Sequence, residues 1–346
     1  MYYNNLLVII TLKFITSNNN QTTFIMRKLH IYILLIPILL SAQSYNGPES
    51  VEYSILNSSY YISNSSNGEV LQLDNNQNLS VFISGLNAGP HGLEISVGWN
   101  EDGEWGESIL YACSGGTLYG YSLDGNELLN YNLNASFLNG ISTNYINGSS
   151  QTYDLFITDF SAKKLYRYDI YNNTHDEICS FPKNPNGVLY DHINDRLLVV
   201  CWGWNAPIYE IDLINNTYTS IINTGLSNLD GITMDLCGNF YVSAWSSNSI
   251  HKYNSDFSSS ENIISGLNNP ADIDYNELDN IIAIPNSGNN TVDFFPYSCD
   301  NSSQKELLAS PTLIQEIDLL GRENNLHGLK IEIYDNGSRA KKYLLK

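Results

Sequence analysis

Two stretches of the chain, "PNGVLYD" (residues 185–191) and "LDGITMD" (residues 229–235), repeat one short pattern. Each has a polar residue, a glycine and an apolar run, and the polar residue changes from Asn186 to Asp230. Related starts occur along the chain at Glu49, His91, Asn139 and Ala271. Successive starts are separated by 42, 48, 47, 44 and 41 residues, and self-similarity at such a period predicts a repeat architecture.

Each start is followed by further short runs rich in Val, Ile, Tyr and Phe. In the third repeat these runs are "LFITD" (155–159), "KLYRY" (164–168) and "DEICSF" (176–181), and Asn, Asp, Gly and Ser separate them. This composition is typical of strands and turns, and we find no sustained helical period. Four short strands per repeat predict an all-β fold, a six-bladed β-propeller. The sixth repeat lacks a fourth run after "TVDFF" (291–295), and we expect residues 44–47 to supply the missing strand.

The N-terminal stretch "MRKLHIYILLIPILLSA" (26–42) has the pattern of a secretory signal peptide. Arg27 and Lys28 supply the basic start, an apolar core follows, and small residues mark a cleavage site. The core is too short to span a bilayer as a helix, so we expect no integral membrane span. We interpret residues 1–25 as an upstream segment assigned to the chain in error, with the true start at Met26.

The rest of the chain is predicted to form a propeller at 43–300, a linker at 301–310 and a small C-terminal β domain at 311–346. Charge is distributed unevenly between these parts. Residues 43–304 contain 30 Asp and Glu against 6 Lys and Arg, whereas residues 305–346 contain 6 against 7. An acidic body repels nucleic acid and anionic lipid, so we expect neither as a partner.

The chain contains 5 cysteines, all after the predicted cleavage site. An odd number leaves at least one thiol unpaired, while export permits a disulfide whose pairing the sequence leaves open. No Cys-x-x-Cys spacing is present, which argues against a thiolate zinc site. The cysteines are Cys113, Cys179, Cys201, Cys237 and Cys299.

The polar residues at the repeat starts are candidate ligands. In a propeller the connections into strand one and the loops between strands two and three open on the same face, so Glu49, His91, Asn139, Asn186 and Asp230 should surround one channel mouth. Hard cations such as Ca²⁺ are bound by carboxylate and amide oxygens, which Glu49, Asn186 and Asp230 supply. Carboxylates that converge in a narrow channel are unfavourable without a cation or proton. The alternative is that these residues only cap the strand starts.

These phrases resemble the senescence marker/gluconolactonase-like six-bladed propellers, to which the NHL-type propellers are related. In that family a Glu, an Asn in an "NG" phrase and an Asp in a "DG" phrase hold one divalent metal. The order Glu49, Asn186, Asp230, with separations of 137 and 44 residues, is similar. The resemblance covers residues 45–297 and implies that these three are metal ligands. It further implies that Asp230 is the acid/base that handles the proton of a water attacking a lactone or ester.

One position departs from this family. The family places a substrate-gripping Arg shortly before an Asn of the third blade. The matching Asn here is Asn139, in "SFLNG", and Phe137 stands at the Arg position. Without that guanidinium, the resemblance does not extend to sugar-acid specificity.

Aromatic residues are predicted to add to the same mouth. Trp202 and Trp204 in "CWGWN" and Trp245 in "SAWSSNS" follow second strands. Flat aromatic side chains beside amides suit stacking against a sugar or another small organic molecule, so we assign these three, with Asn139 and His91, to ligand binding. The alternatives are that the tryptophans fill gaps between blades and that His91 is a hydrogen-bonded channel residue.

The last residues, "IQEIDLLGRENNLHGLKIEIYDNGSRAKKYLLK" (314–346), are predicted to form three strands, the last two joined by an Asp-Asn-Gly turn. They resemble the C-terminal sorting domain of type IX secretion, known from Bacteroidetes. The residues that carry the resemblance are Asp318, Gly321, Arg322, Gly328, Asp335, Gly337, Lys341 and Lys342. It implies that the type IX secretion machinery is a partner and that the protein is secreted or displayed on the outer-membrane surface. The alternative is a small β appendage packed on the propeller.

Two functions fit these observations. The first is an exported, monomeric propeller that binds a small molecule or glycan at the channel mouth together with a divalent cation. The second is a metal-dependent lactonase or esterase with Asp230 as the catalytic residue. No phosphate-binding glycine loop or dinucleotide fingerprint is present in the sequence, which argues against nucleotide and redox chemistry.

Overall fold

The computed structural model describes residues 8–13, 28–33, 43–99, 105–144, 153–299, 313–318, 328–334 and 339–344. The chain divides into two units, Met1–Gln43 and Ser44–Lys346. In the first unit, β1 (Val8–Lys13) pairs antiparallel with β2 (Lys28–Ile33). The remainder of the predicted signal peptide at 26–42 lies outside the described residues, and its role stays a prediction.

The second unit contains six consecutive antiparallel sheets that follow one another along the chain, five with four strands and the sixth with three. The predicted six-bladed β-propeller is therefore confirmed. Its strands are β3 (Pro48–Ser54), β4 (Ser59–Asn64), β5 (Glu69–Leu73) and β6 (Leu79–Ile83) in blade 1; β7 (Leu93–Trp99), β8 (Trp105–Ser114), β9 (Thr117–Ser122) and β10 (Glu127–Asn132) in blade 2; β11 (Leu138–Thr143), β12 (Asp154–Asp159), β13 (Lys164–Asp169) and β14 (Thr174–Ser180) in blade 3; β15 (Asn184–Asp191), β16 (Arg196–Trp202), β17 (Pro207–Asp212) and β18 (Thr217–Asn223) in blade 4; β19 (Leu229–Met234), β20 (Phe240–Ala244), β21 (Ser249–Tyr253) and β22 (Ser260–Ser265) in blade 5; and β23 (Asp274–Asn276), β24 (Ile281–Asn286) and β25 (Thr291–Pro296) in blade 6.

The core lies between neighbouring sheets. Leu198 and Val200 of blade 4, for example, are buried in one cluster with Phe240 and Val242 of blade 5. Burial decreases outward along a blade, since every residue of β20 is buried while the fourth strand β22 is mostly exposed. The only helix among the described residues is a single 3₁₀ turn, Trp245–Ser247. Close packing of β-branched and aromatic side chains between sheets explains why each blade depends on both neighbours.

A backbone irregularity recurs at the starts of blades 1, 3, 4 and 5. The pairing of strand one with strand two is interrupted at the polar residue and the residue after it, as between Pro185 and Val188 and between Leu229 and Ile232. β-Bulges of this kind re-aim a side chain out of the ladder. The glycine is required because a Cβ on Gly187 would lie 2.5 Å from the carbonyl oxygen of Asp230 in the next blade.

Hydroxyl groups on second strands connect neighbouring blades beside these bulges. The Gly140 N–H donates to Thr158 Oγ1 at 2.9 Å, and the Thr158 hydroxyl donates to the carbonyl of Asn186 at 2.6 Å. Ser243 makes the same pair of contacts with the Gly231 N–H and the carbonyl of Ala271, both at 2.7 Å. Each hydroxyl thus satisfies a bulge N–H and fixes the position of the next blade's first strand.

Ring closure differs from the sequence-based expectation. Residues 44–47 form no strand, so the prediction that they complete blade 6 is wrong. Blades 1 and 6 instead meet through direct contacts: the Asp272 N–H donates to the Glu49 carbonyl at 2.8 Å, and the Tyr53 N–H donates to Asp274 Oδ2 at 3.0 Å. The segment before β3 contributes a hydrogen bond from the Gly47 N–H to Asn290 Oδ1 at 2.7 Å.

A disulfide joins Cys237, in the connection from β19 to β20, to Cys299, which follows β25. The bond therefore ties the end of blade 6 to blade 5. The other cysteines are free thiols: Cys113 and Cys201 are buried and Cys179 is half-buried. Because blade 6 has three strands in the described part of the chain, this covalent link restrains a blade that has fewer ladder contacts than the others.

The C-terminal strands β26 (Leu313–Asp318), β27 (Gly328–Tyr334) and β28 (Arg339–Leu344) form a three-stranded antiparallel sheet. Three strands were expected here from the sequence. Of the residues that carry the sorting-domain resemblance, Gly321, Arg322, Asp335 and Gly337 lie outside the described residues. Among the described residues, no helix has the length and apolar character needed to cross a membrane.

Candidate functional site

A cavity of about 320 Å³ opens where the blade starts converge. The residues predicted for the mouth, Glu49, His91, Asn139, Asn186 and Asp230, all line it. They come from blades 1 to 5, and the bulges turn four of these side chains out of their ladders. The other lining residues are Gly47, Ser65, Ser66, Phe137, Phe160, Trp202, Trp245 and Ser287.

The floor of the cavity, formed by Glu49, Asn186 and Asp230, contains acceptor oxygens that no group of the described residues satisfies. Asn186 and Asp230 are each 2% exposed. The Asn186 Nδ2 group donates to the carbonyl of Leu229 at 3.4 Å, an arrangement that leaves its Oδ1 without a partner among the described residues. Asp230 Oδ1 is also buried and unpartnered there. A buried acceptor without a donor costs about 1–3 kcal/mol, so these two oxygens of one cavity are candidate contacts for water, an ion or a ligand.

The carboxyl groups at the floor favour their protonated forms. Burial raises the pKa of Glu49 to about 7, and a hydrogen bond from Ser287, at 3.4 Å, opposes the rise. Burial also raises the pKa of Asp230 well above its ordinary value. The negative charges of Glu49 and Asp272 raise it further, whereas the Asn186 side chain lowers it. Both shifts have the sign expected for carboxylates that lack a cation.

Aromatic side chains form a continuous arc around blades 2 to 5, which we call the aromatic arc: His91, Phe137, Phe160, Trp202 and Trp245. Neighbouring ring centroids in this order are separated by 4.5, 5.8, 6.0 and 5.2 Å, and the rings meet edge to face. Each member remains partly accessible. Two polar atoms of the arc, His91 Nδ1 and Trp245 Nε1, are buried without a partner in the described part of the chain. Burial lowers the pKa of His91 to about 4, so its ring is neutral at pH 7.

The structure separates the predicted tryptophans. Trp202 and Trp245 line the cavity, but Trp204 is 81% exposed and lies outside it. Phe160 was missed by the sequence reasoning, although it follows β12 as Trp245 follows β20. Ser65 and Ser66 of blade 1 and Ser287 of blade 6 also line the cavity with hydroxyl groups. The sequence patterns did not predict these residues.

These groups fit a divalent cation. Carboxylate and amide oxygens, the kinds of ligand that Ca²⁺ prefers, line one cavity, and two of these oxygens lack donors among the described residues. A second cluster of possible ligands, Asp235, Cys237 and Cys299, lies elsewhere. Its two cysteines form the disulfide, which withdraws both thiolates from metal binding.

Neither a protein-family model nor a curated protein matches this chain. Solved structures do. A gluconolactonase from Xanthomonas campestris matches with a TM-score of 0.55 and 13% identity, over 70% of this chain and 83% of that chain. An auxiliary nutrient binding protein from Bacteroides thetaiotaomicron matches with a TM-score of 0.55 and 12% identity, over 72% and 70%. Virginiamycin B lyase from Staphylococcus aureus matches with a TM-score of 0.51 and 15% identity, over 87% and 96%. At these identities the likenesses establish the fold and nothing finer.

Proposed function

We propose that this protein is an exported β-propeller that binds a small molecule or glycan at the channel mouth, with a divalent cation held by Glu49, Asn186 and Asp230. The observation that carries the proposal is the pair of buried acceptors, Asn186 Oδ1 and Asp230 Oδ1, which no described protein group satisfies. Ca²⁺ is the expected ion because all three ligand atoms are oxygens.

The aromatic arc supports the ligand-binding part of the proposal. Partly accessible rings such as Phe160, Trp202 and Trp245 offer apolar faces to a sugar or another flat molecule. Asn139 is buried beside them and adds an amide. Ser65 and Ser287 across the cavity provide hydroxyls for a polyol. The fold is shared with an auxiliary nutrient binding protein, which is compatible with a binding role.

Metal binding is tested by calorimetric titration of Ca²⁺ into chelator-treated full-length protein. We expect one site per chain that is lost in Asp230→Ala and retained in Asp256→Ala, a change at an exposed loop carboxylate. Absence of saturable binding to the unmodified protein would remove the cation from the proposal. A glycan panel, read by the fluorescence of Trp202 and Trp245, then tests ligand binding with and without Ca²⁺.

The second candidate is a metal-dependent lactonase or esterase. Asp230 lines the cavity, and its Oδ1 is buried and has no partner among the described residues; in its ionised form this carboxylate would accept a proton from a water bound there. A bound cation would supply Lewis acidity toward a substrate carbonyl. Against this function, Phe137 occupies the position of the family's substrate-gripping Arg. Turnover of lactones and aryl esters that is unchanged in Asp230→Ala would exclude this mechanism.

Export is part of the proposal. A secretory signal at 26–42 and a type IX sorting domain at 311–346 would direct the protein to the medium or to the outer-membrane surface. The Cys237–Cys299 disulfide is consistent with an extracellular protein. Deletion of residues 311–346 in the native host should retain the protein in the periplasm. Surface labelling that is unaffected by the deletion would contradict the sorting role.

A further inference from the structure

The charge of the cavity lining limits which ligands it accepts. Of the described residues, no Lys or Arg lines it. The lysines of the nearby loops are turned to other acceptors: Lys183 Nζ donates to the carbonyls of Trp204 and Asn205, and Lys163 Nζ donates to that of Pro182. With His91 neutral, the described lining provides no positively charged side chain for an anionic ligand. In the metal-free protein, sugar acids and phosphates are therefore disfavoured at this mouth.

The same cavity combines aromatic rings with acidic groups. The aromatic arc provides five rings, and Glu49 and Asp230 line the same cavity with their carboxyl groups. Aromatic faces attract a cation that lies within about 6 Å of the ring centroid, and desolvation strengthens this attraction. A neutral glycan interacts with the rings alone, whereas an organic cation interacts with the rings and also stabilises the ionised forms of the carboxyl groups.

We propose that the ligand of this mouth is an organic ammonium compound, whose charged head contacts the floor formed by Glu49, Asn186 and Asp230 and whose apolar body lies against the aromatic arc. This inference rests on the proposed function for the location of the site and adds the ligand class. The head group and a divalent cation use the same acceptor oxygens, Asn186 Oδ1 and Asp230 Oδ1. They therefore compete.

Choline and 3,3-dimethylbutan-1-ol provide the test because they have the same shape and differ in charge. Each is titrated calorimetrically into chelator-treated full-length protein. We expect choline to bind roughly tenfold or more tightly than the neutral isostere, which corresponds to the strength of a desolvated cation–π contact. Added Ca²⁺ should weaken choline binding. Equal affinities for the two compounds would overturn the inference, and so would choline binding that is unaffected by Ca²⁺ in a protein that binds Ca²⁺.

Variants locate the binding. Phe160→Leu keeps an apolar side chain and removes the π system, so choline affinity should fall roughly five- to tenfold while Ca²⁺ affinity is unchanged. Trp204→Leu is the matched control, since Trp204 belongs to the same face but is 81% exposed and outside the cavity. If Phe160→Leu and Trp204→Leu bind choline alike, the aromatic arc is not the binding wall and the inference fails.

The outcomes separate this inference from the proposed function. Ca²⁺ binding without choline binding leaves the metal site standing and rejects the ammonium ligand. Choline binding without Ca²⁺ binding supports the inference and removes the divalent cation from the proposed function. Binding of neither probe contradicts both.

Discussion

Asp274 and Glu52 lie further along the inner edge of the ring than Asp230 and Glu49, and the two pairs differ in what satisfies their oxygens. Asp274 accepts hydrogen bonds from the backbone N–H groups of Tyr53 and Tyr275, at 3.0 and 2.7 Å. Glu52 accepts one from the Ile95 N–H at 3.3 Å. Asp230 Oδ1 has no such donor among the described residues.

Burial alone does not distinguish these carboxyl groups. Burial is the largest cause of a raised pKa in both pairs, with Asp274 at about 6 and Glu49 at about 7. The two pairs differ in their hydrogen-bond donors. Backbone N–H groups donate to Asp274 and Glu52, whereas the bulges at the mouth turn the side chains of Asp230 and Glu49 away from the ladders. The comparison teaches that unsatisfied acceptors, rather than acidic residues as such, mark the candidate site.

The largest expected effect is on cation affinity. Asp230→Asn should weaken Ca²⁺ binding roughly 100-fold, because it replaces a charged ligand by a neutral one. Asp274→Asn should change Ca²⁺ affinity by less than about threefold while reducing the free energy of unfolding by about 1–3 kcal/mol through its backbone contacts. Calorimetry measures the Ca²⁺ affinity, and urea unfolding measures the free energy of unfolding. Equal losses of Ca²⁺ affinity in the two variants would show that Asp230 and Asp274 do not differ in function.

Stability of the metal-free protein should decrease as pH rises. Glu49 has a folded-state pKa of about 7 against an ordinary 4.5, so folding favours its protonated form. Its contribution is fully present below about pH 4.5 and is lost as pH rises through 7, on the order of 1–3 kcal/mol. Asp272, whose pKa is also about 7, acts in the same direction.

Urea unfolding between pH 5 and 8 measures this loss, and saturating Ca²⁺ should reduce it. Glu49→Gln should make the pH dependence less steep, with Asp272 still contributing, while Glu261→Gln on the exposed strand β22 should leave it unchanged. A metal-free protein whose stability rises over this interval would contradict the assignment of buried, uncompensated carboxyl groups.

The hydroxyl contacts between blades are expected to contribute a smaller amount. Thr158→Val keeps the shape of the side chain but leaves the Gly140 N–H and the Asn186 carbonyl without their shared partner. We expect a loss of about 1–3 kcal/mol of unfolding free energy and weaker Ca²⁺ binding, since Asn186 is no longer held. Thr158→Ser restores the hydroxyl and should recover both properties. If Thr158→Ser does not recover Ca²⁺ affinity, the hydroxyl contact with the Asn186 carbonyl does not contribute to Ca²⁺ binding.

The smallest effect is expected at Ser287. Its hydroxyl donates weakly to Glu49 Oε2, at 3.4 Å, and opposes the rise in the pKa of that carboxyl. Ser287→Ala should therefore raise the pKa of Glu49 further and weaken Ca²⁺ binding a few-fold near pH 6, with little change at pH 8. Isothermal titrations at the two pH values measure this difference. A loss that is the same at both would indicate that Ser287 itself contacts the ion.

Much of the fold was predictable because each blade is a local unit. The predicted runs "LFITD" and "KLYRY" lie within β12 and β13, and the polar residues at the repeat starts line one cavity. Phe160 was predictable in principle, because the residue after the second strand is aromatic in blades 3 and 5. The role of Ser287 was not, since it depends on contact with Glu49, 238 positions away.

The sequence by itself determined the number of blades, the order of their strands and which polar residues begin each repeat. These properties follow from periodicity and from backbone crowding that only glycine relieves at positions such as Gly187. The tertiary structure alone decided how blades 1 and 6 meet, that Cys237 pairs with Cys299, and which carboxylates find protein donors. The physical reason is that a hydrogen bond or a disulfide between distant positions depends on the relative placement of whole sheets, which no local pattern of residues encodes.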